Sequence, residues 1–185
     1  MQYASALHGA TAKHFMGRIA AEMGEINQAR ILFDAAEQLL KDAATEGESA
    51  AIYALWADTK AQILLIRGIS YVIRNSGKIR RLAQTALEID PDNALARLVI
   101  ARGKINAPRL FGGSVPKGIE MVRSVLDLDG LEPFELFLAH YSLAVASEKE
   151  GEFVLAADHL SEALELYPKN PDGLDLLDRL ASGVQ

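Results

Sequence analysis

The sequence predicts an all-α chain, a solenoid of about four helix pairs closed by a C-terminal capping helix. Three observations carry this. Half of the 185 residues are hydrophobic, but these are mostly Ala, Leu and Ile with few aromatics, which favours helix over strand. Ala144, Gly151, Ala156, Leu160, Ala163 and Pro168 fall at offsets of 0, 7, 12, 16, 19 and 24; Gly17, Gly24, Ala29, Phe33 and Ala36 repeat the ruler, and only Lys41 fails at the proline slot. Polar caps also mark helix starts at Asp92 and Asn93, at Ser114 before Pro116, at Glu132 before Pro133 and at Asn170 before Pro171.

The ruler has a physical reading. A small residue on the first helix admits the second helix closely, a glycine permits the reversal, and Ala with Phe or Leu at helical spacing packs back. On this basis the pairs span about 10–43, 48–92, 93–130 and 133–168, with the cap at 171–182, in one domain. In the second pair RRLAQTALEIDPDN keeps Ala83, Ala86 and Pro91 in register, but Gly77 lies three residues too close to the proline. This predicts a short second helix after one unusually long helix from Glu48 to Asn75, ~40 Å at 1.5 Å per residue. In the third pair Gly113, Gly118, Val122 and Val125 keep the ruler while NAPRLFGGSVP lengthens the turn. The last segment, PDGLDLLDRLASG, sets Leu174, Leu177 and Leu180 against Asp175, Asp178 and Arg179, as a polar-backed cap needs.

The segments GRIAAEMGEINQARILFDAAE and LAVASEKEGEFVLAADHLSEALELYPKNPDG resemble the tetratricopeptide repeat. The resemblance covers nearly the whole chain and is weakest in the middle. It implies a right-handed α-solenoid and a non-enzymatic interaction module that holds a protein or peptide in its concave groove. The loop of asparagine, alanine and proline followed by an aromatic and two glycines resembles one found in some bacterial repeat proteins of the cell envelope.

Other function classes find little support in the residues. The net charge of -6 is spread along the chain, so no bulk attraction to nucleic acid is expected. There is no Cys for a disulfide, a thiolate metal site or a cysteine nucleophile. The richest apolar stretch, Ala61 to Ile73, contains Arg67 and is too short to span a bilayer, so no membrane insertion is expected. MQYASALHGATAKHF lacks the basic and apolar regions of a secretory signal. The location is then cytoplasmic as the sequence stands, or periplasmic if an export signal preceded it. Gly112-Gly113-Ser114-Val115-Pro116-Lys117 has neither the order nor the preceding strand of a phosphate loop. His8, His14, His140 and His159 have no second metal ligand at i, i+4, although His140 and His159 lie on paired helices; packing or surface roles are expected, with no metal or cofactor. Acid groups such as Glu148, Glu150, Glu152, Asp127 and Asp129 read as solvated faces, and no GxSxG elbow is present, so no catalytic residue is expected.

Stacked pairs line their inner wall with first helices, so a partner is expected there. Aligned on the repeat glycines, the wall takes His14 and Arg18 from the first pair and Arg67, Tyr71 and Arg74 from the second. It takes Arg102 from the third and Tyr141, Val145 and Glu148 from the fourth. Converging arginines suit a carboxylate, a phosphate or an acidic peptide. The Lys and Asn pattern of chaperone-tail binders is absent, and the alternative is that the arginines are exposed or pair with Glu22 and neighbouring acids. Arg109, Leu110 and Phe111 form a candidate contact loop, with inward packing expected and outward display as the alternative. Trp56 and Tyr53 are expected to be buried against Phe33 or Leu40. Two further functions stand beside the peptide-binding module. One is a structural, self-associating subunit of a bacterial envelope or transport assembly, hence a homo-oligomer. The other is a small-ligand carrier with a cavity between the long helix and the third pair.

Overall fold

The computed structural model describes residues 2–183, with side chains described for 4–68, 71 and 74–183. Among these residues it contains nine α-helices and no strand: α1 (Gln2–Glu22), α2 (Ile26–Glu46), α3 (Ala50–Arg67), α4 (Ile69–Ile89), α5 (Ala94–Asn106), α6 (Val115–Leu126), α7 (Pro133–Glu150), α8 (Phe153–Leu166) and α9 (Pro171–Gly183). A single 3-10 turn, Arg109–Phe111, lies between α5 and α6. The chain divides into two compact units, Met1–Val99 and Ile100–Gln185, and α5 contains the boundary.

In the first unit α1 packs on α2, α2 on α3 and α3 on α4; in the second α6 packs on α7, α7 on α8 and α8 on α9. The repeat glycines end first helices in the same way. Gly24 has φ 77° and Gly151 φ 81°, a region that glycine enters without steric cost. Each turn then closes with two crossed bonds: Glu25 N donates to Ala20 O at 2.8 Å and Gly24 N to Ala21 O at 3.0 Å, as Glu152 N does to Ser147 O at 2.9 Å and Gly151 N to Glu148 O at 3.1 Å. The small residues of the ruler act as expected. A Cβ on Gly17 would lie 2.9 Å from the Phe33 ring, and Ala144 packs with Ala156 and Leu160. Phe33 and Leu40, both fully buried, anchor two clusters of the first unit at about 1.5–3 kcal/mol each. Trp56 packs against the Leu40 cluster but, like Tyr53, is only partly buried.

The second pair differs from the sequence expectation. There is no long helix from 48 to 75, because Gly68, with φ 76° and ψ -177°, breaks it and α4 begins at the next residue. The second helix is accordingly long, 21 residues like α2, and Gly77 is an interior helix residue where an added Cβ would meet nothing. The four sequence caps hold. Asn93 Oδ1 accepts from Ala96 N, Ser114 Oγ from Lys117 N, and Asn170 Oδ1 from Gly173 N, while Glu132 and Glu135 form a reciprocal capping box.

The lengthened loop also departs from expectation. Leu110 is 89% exposed and Phe111 70%, so the pair points outward and fills no gap in the core. Polar bonds hold it there: Lys104 Nζ donates to Gly112 O at 3.0 Å, Ser114 N to Lys104 O at 2.8 Å, and Lys149 Nζ to Asn106 Oδ1 at 2.7 Å and Ile105 O at 3.0 Å.

Two glycine substitutions check these packing claims in opposite directions. A Cβ on Gly113 would meet Ala107 O at 1.8 Å, so Gly113→Ala is expected to destabilise by about 1–3 kcal/mol. Gly77→Ala meets nothing within 4 Å and should stabilise α4 by about 0.5–1 kcal/mol. Urea titration of both variants measures the sign of each.

Candidate functional site

The structure distributes the nine residues expected on the inner wall over three places. His14 and Arg18 belong to a cluster at the centre of the first unit. His14 is fully buried and lines no open wall, because α3 covers it: His14 Nδ1 lies 3.0 Å from Thr59 Oγ1 and Nε2 lies 3.2 Å from Asp58 Oδ2. Arg18, mostly buried, stands 3.7 Å from the same carboxylate oxygen. Arg18 therefore stands beside an acid, Asp58, in the interior of the unit.

Arg67, Tyr71 and Arg74 do come together. Tyr71 and Arg74 lie on α4, a second helix, because the turn is at Gly68 rather than Gly77; Arg67 is the last residue of α3. They line a depression of about 860 Å3 with Ile66, Asn75 and one face of α2, Asn27, Arg30, Ile31 and Asp34 at i, i+3, i+4 and i+7, and with Ile26. Arg67 Nη2 donates to both oxygens of Asp34, at 2.8 and 2.7 Å, and its guanidinium sits 5.3 Å from the Tyr71 ring centre. Both partners of that ion pair are well exposed, so it contributes only about 0–1 kcal/mol. Arg30 and Arg74 are exposed and have no acidic partner among the described residues. The depression thus sets three guanidiniums against one carboxylate, with isoleucines as its apolar part.

Sequence reasoning missed the α2 residues of this site. The signal was the spacing of Asn27, Arg30, Ile31 and Asp34 on the face opposite Ala29, Phe33, Ala36 and Leu40, with Ile31 as an apolar intruder among polar groups.

Beneath the depression the Lys60 ammonium, nearly fully buried, donates to Glu37 Oε1 at 3.1 Å and lies 3.5 Å from the Tyr71 hydroxyl. Trp56 Nε1 donates to the same Glu37 oxygen at 3.3 Å, and Lys41 stands 3.2 Å from it. Burial pushes the Glu37 carboxyl up; the Lys60 charge and hydrogen bond, with Lys41 and Trp56, outweigh this and hold it below its ordinary value.

Arg102 and Tyr141 belong to the second unit, where both are half-buried. Tyr141 stacks on Phe137 at 5.8 Å, and burial, then the Asp172 charge, pushes its phenol up to about 12. Val145 packs at the edge of the Leu160 cluster, and Glu148 receives Arg179 of α9 in a two-bond fork at 2.9 and 3.0 Å. His140 and His159 meet with ring centres 5.8 Å apart, and among the described residues no group of three metal-ligating side chains forms around them or elsewhere. A depression of this unit, between α6 and the α7–α8 turn, is acidic: its lining sets Glu120, Asp127, Glu150 and Glu152 against Arg123. No helix among the described residues is long and apolar enough to cross a membrane.

Glu37 carries a pH signature. Its folded value lies below its unfolded one, so its contribution is present above the unfolded value and lost as pH falls through the folded value. Glu37→Gln is expected to narrow the stability difference between about pH 7 and about pH 3. Glu37→Ala, which strands Lys60, should cost about 3 kcal/mol, and Glu37→Leu with Lys60→Met should restore most of it. Denaturant titrations at the two pH values measure both effects.

No family model matches the chain, and no curated protein does. Among solved structures it is similar to TTC0263, a thermophilic TPR protein of Thermus thermophilus, at 17% identity over 95% of this chain and 98% of that one, with a TM-score of 0.55. It is also similar to YrrB, a TPR protein with an unusual peptide-binding site, at 15% identity over 91% of this chain and 74% of that one, with a TM-score of 0.49. With the glycine-capped hairpins, the likeness to TTC0263 establishes the fold as an all-α array of tetratricopeptide-type helix pairs.

Proposed function

We propose that the chain is a non-enzymatic binding module and that the depression on its first unit receives an acidic, extended segment of a peptide or protein. The carrying observation is the gathering of Arg30, Arg67 and Arg74 around Tyr71, with Asp34 as the single acid, on a chain whose net charge is -6. Guanidiniums clamp carboxylates with two parallel bonds, and the isoleucines offer apolar contact to side chains that alternate with the acids. Arg67 is already engaged by Asp34, so Arg30 and Arg74 are the groups that meet the ligand, while Arg67 and Tyr71 form a pre-ordered wall. This moves the binding surface from the whole inner wall to one place, and His14 and Arg18 serve it as buried support.

The carrier reading loses its basis, because the long helix it depended on is divided at Gly68. The assembly reading keeps one specific observation, the outward Leu110 and Phe111 held in place by Lys104 and Lys149.

Fluorescence anisotropy with a labelled Glu-rich peptide alternating acids and apolar residues tests the first reading. Binding is expected to weaken as salt rises and to fall at least about tenfold in Arg30→Glu with Arg74→Glu. Binding that ignores both changes overturns the assignment. For the assembly reading, light scattering of the wild type at high concentration should show a mass above the monomer that Leu110→Asp with Phe111→Asp reduces; a strictly monomeric wild type removes it.

A further inference from the structure

The exposed face of α1 and the turn that follows it carry four large apolar side chains, Phe15, Met16, Ile19 and Met23, which are 37%, 54%, 55% and 68% exposed. Their spacing places them on one side of the helix over about two turns. They precede the turn glycine Gly24 by nine, eight, five and one residues. Counting back in the same way from Gly68 gives Thr59, Lys60, Ile63 and Arg67 on α3. On α3 this face is covered by the neighbouring hairpin: Thr59 meets His14 of α1, while Lys60 meets Glu37, Ile63 meets Leu32 and Phe33, and Arg67 meets Asp34, all of α2. On α7 the matching Leu143 and Ala146 are buried as well.

From this register we infer that the Phe15–Met23 face of α1 is a docking surface for an amphipathic helix of a partner protein, lying on it as α2 lies on α3. The chemistry of that helix follows from the same comparison. Where α3 has Lys60 and Arg67, each matched by a carboxylate of α2, the first hairpin has Met16 on α1 and Met23 in the turn after it. At the Met16 position, whose counterpart Lys60 is buried with Glu37, a carboxylate loses its water and gains no cation. The partner helix therefore presents an uncharged apolar stripe, and the flexible methionines adapt to its side chains. This surface is independent of the arginine depression, whose ligand is acidic.

The test uses the full chain and a labelled synthetic peptide of the sequence Ile26–Glu46 carrying Asp34→Leu and Glu37→Leu, read by fluorescence anisotropy. Saturable binding is expected, weakened at least about tenfold by Ile19→Arg with Met23→Arg and unmoved by Arg74→Glu. The peptide that keeps Asp34 and Glu37 should bind at least about tenfold more weakly than its leucine counterpart. The substituted residues are exposed, so thermal melting should stay near wild type; Met16→Ser with Met23→Ser is the milder variant if it does not. Absence of saturable binding, or binding that ignores the α1 substitutions, overturns the proposal. So does a concentration-dependent dimer abolished by Ile19→Arg with Met23→Arg, which assigns the face to a second copy.

Discussion

The buried polar run Asp58-Thr59-Lys60 of α3 is the constraint on which the first unit depends. Three adjacent polar side chains inside a helical core are costly unless each finds a partner. Each does, in two directions: Asp58 and Thr59 reach α1 through His14 and Arg18, and Lys60 reaches α2 through Glu37. Sliding α3 by one residue strands all three. Apolar packing alone, Ile63 against Phe33 for instance, tolerates such a slip far better, so the polar run sets the register of the second hairpin on the first.

That register decides what the surface offers. It brings the end of α3 over α2, so that Arg67 meets Asp34, and it carries Tyr71 toward Lys60 and Arg67. With Arg67 occupied and Tyr71 braced by two cations, Arg30 and Arg74 remain as exposed positive charge. The second unit uses its ion pairs otherwise. There Arg179 of α9 locks onto Glu148 of α7 and onto Asp175 of its own helix, fastening the last helix, and its depression is acidic. The two depressions thus gather charge of opposite sign, a pattern that a net charge of -6 conceals.

Much of the fold was legible in the residues because its signals are local. Gly24 and Gly151 demand a left-handed backbone, Gly17 and Ala144 admit a close neighbour, and Asn93, Ser114, Glu132 and Asn170 cap the helices that follow them. The second pair was misread because two glycines competed for one turn. Gly77 lies nearer the expected distance from Pro91, yet Gly68 adopts the positive φ, and a glycine inside a helix cannot be told from a turn by spacing alone. That single error placed Tyr71 and Arg74 on a first helix instead of a second and hid the part played by α2.

By itself the sequence determined the all-α class, many of the helix ends and the tetratricopeptide-type repeat, since each follows from propensity, capping and periodicity within about thirty residues. The tertiary structure alone decided which charged side chains are buried, which pair and which face water. Arg18 and Arg74 are alike as letters, but one lies near Asp58 in the core and the other stands exposed beside a depression. Contacts between residues far apart in the chain make that difference, and so did the outward placement of Leu110 and Phe111, fixed by lysines on two other segments.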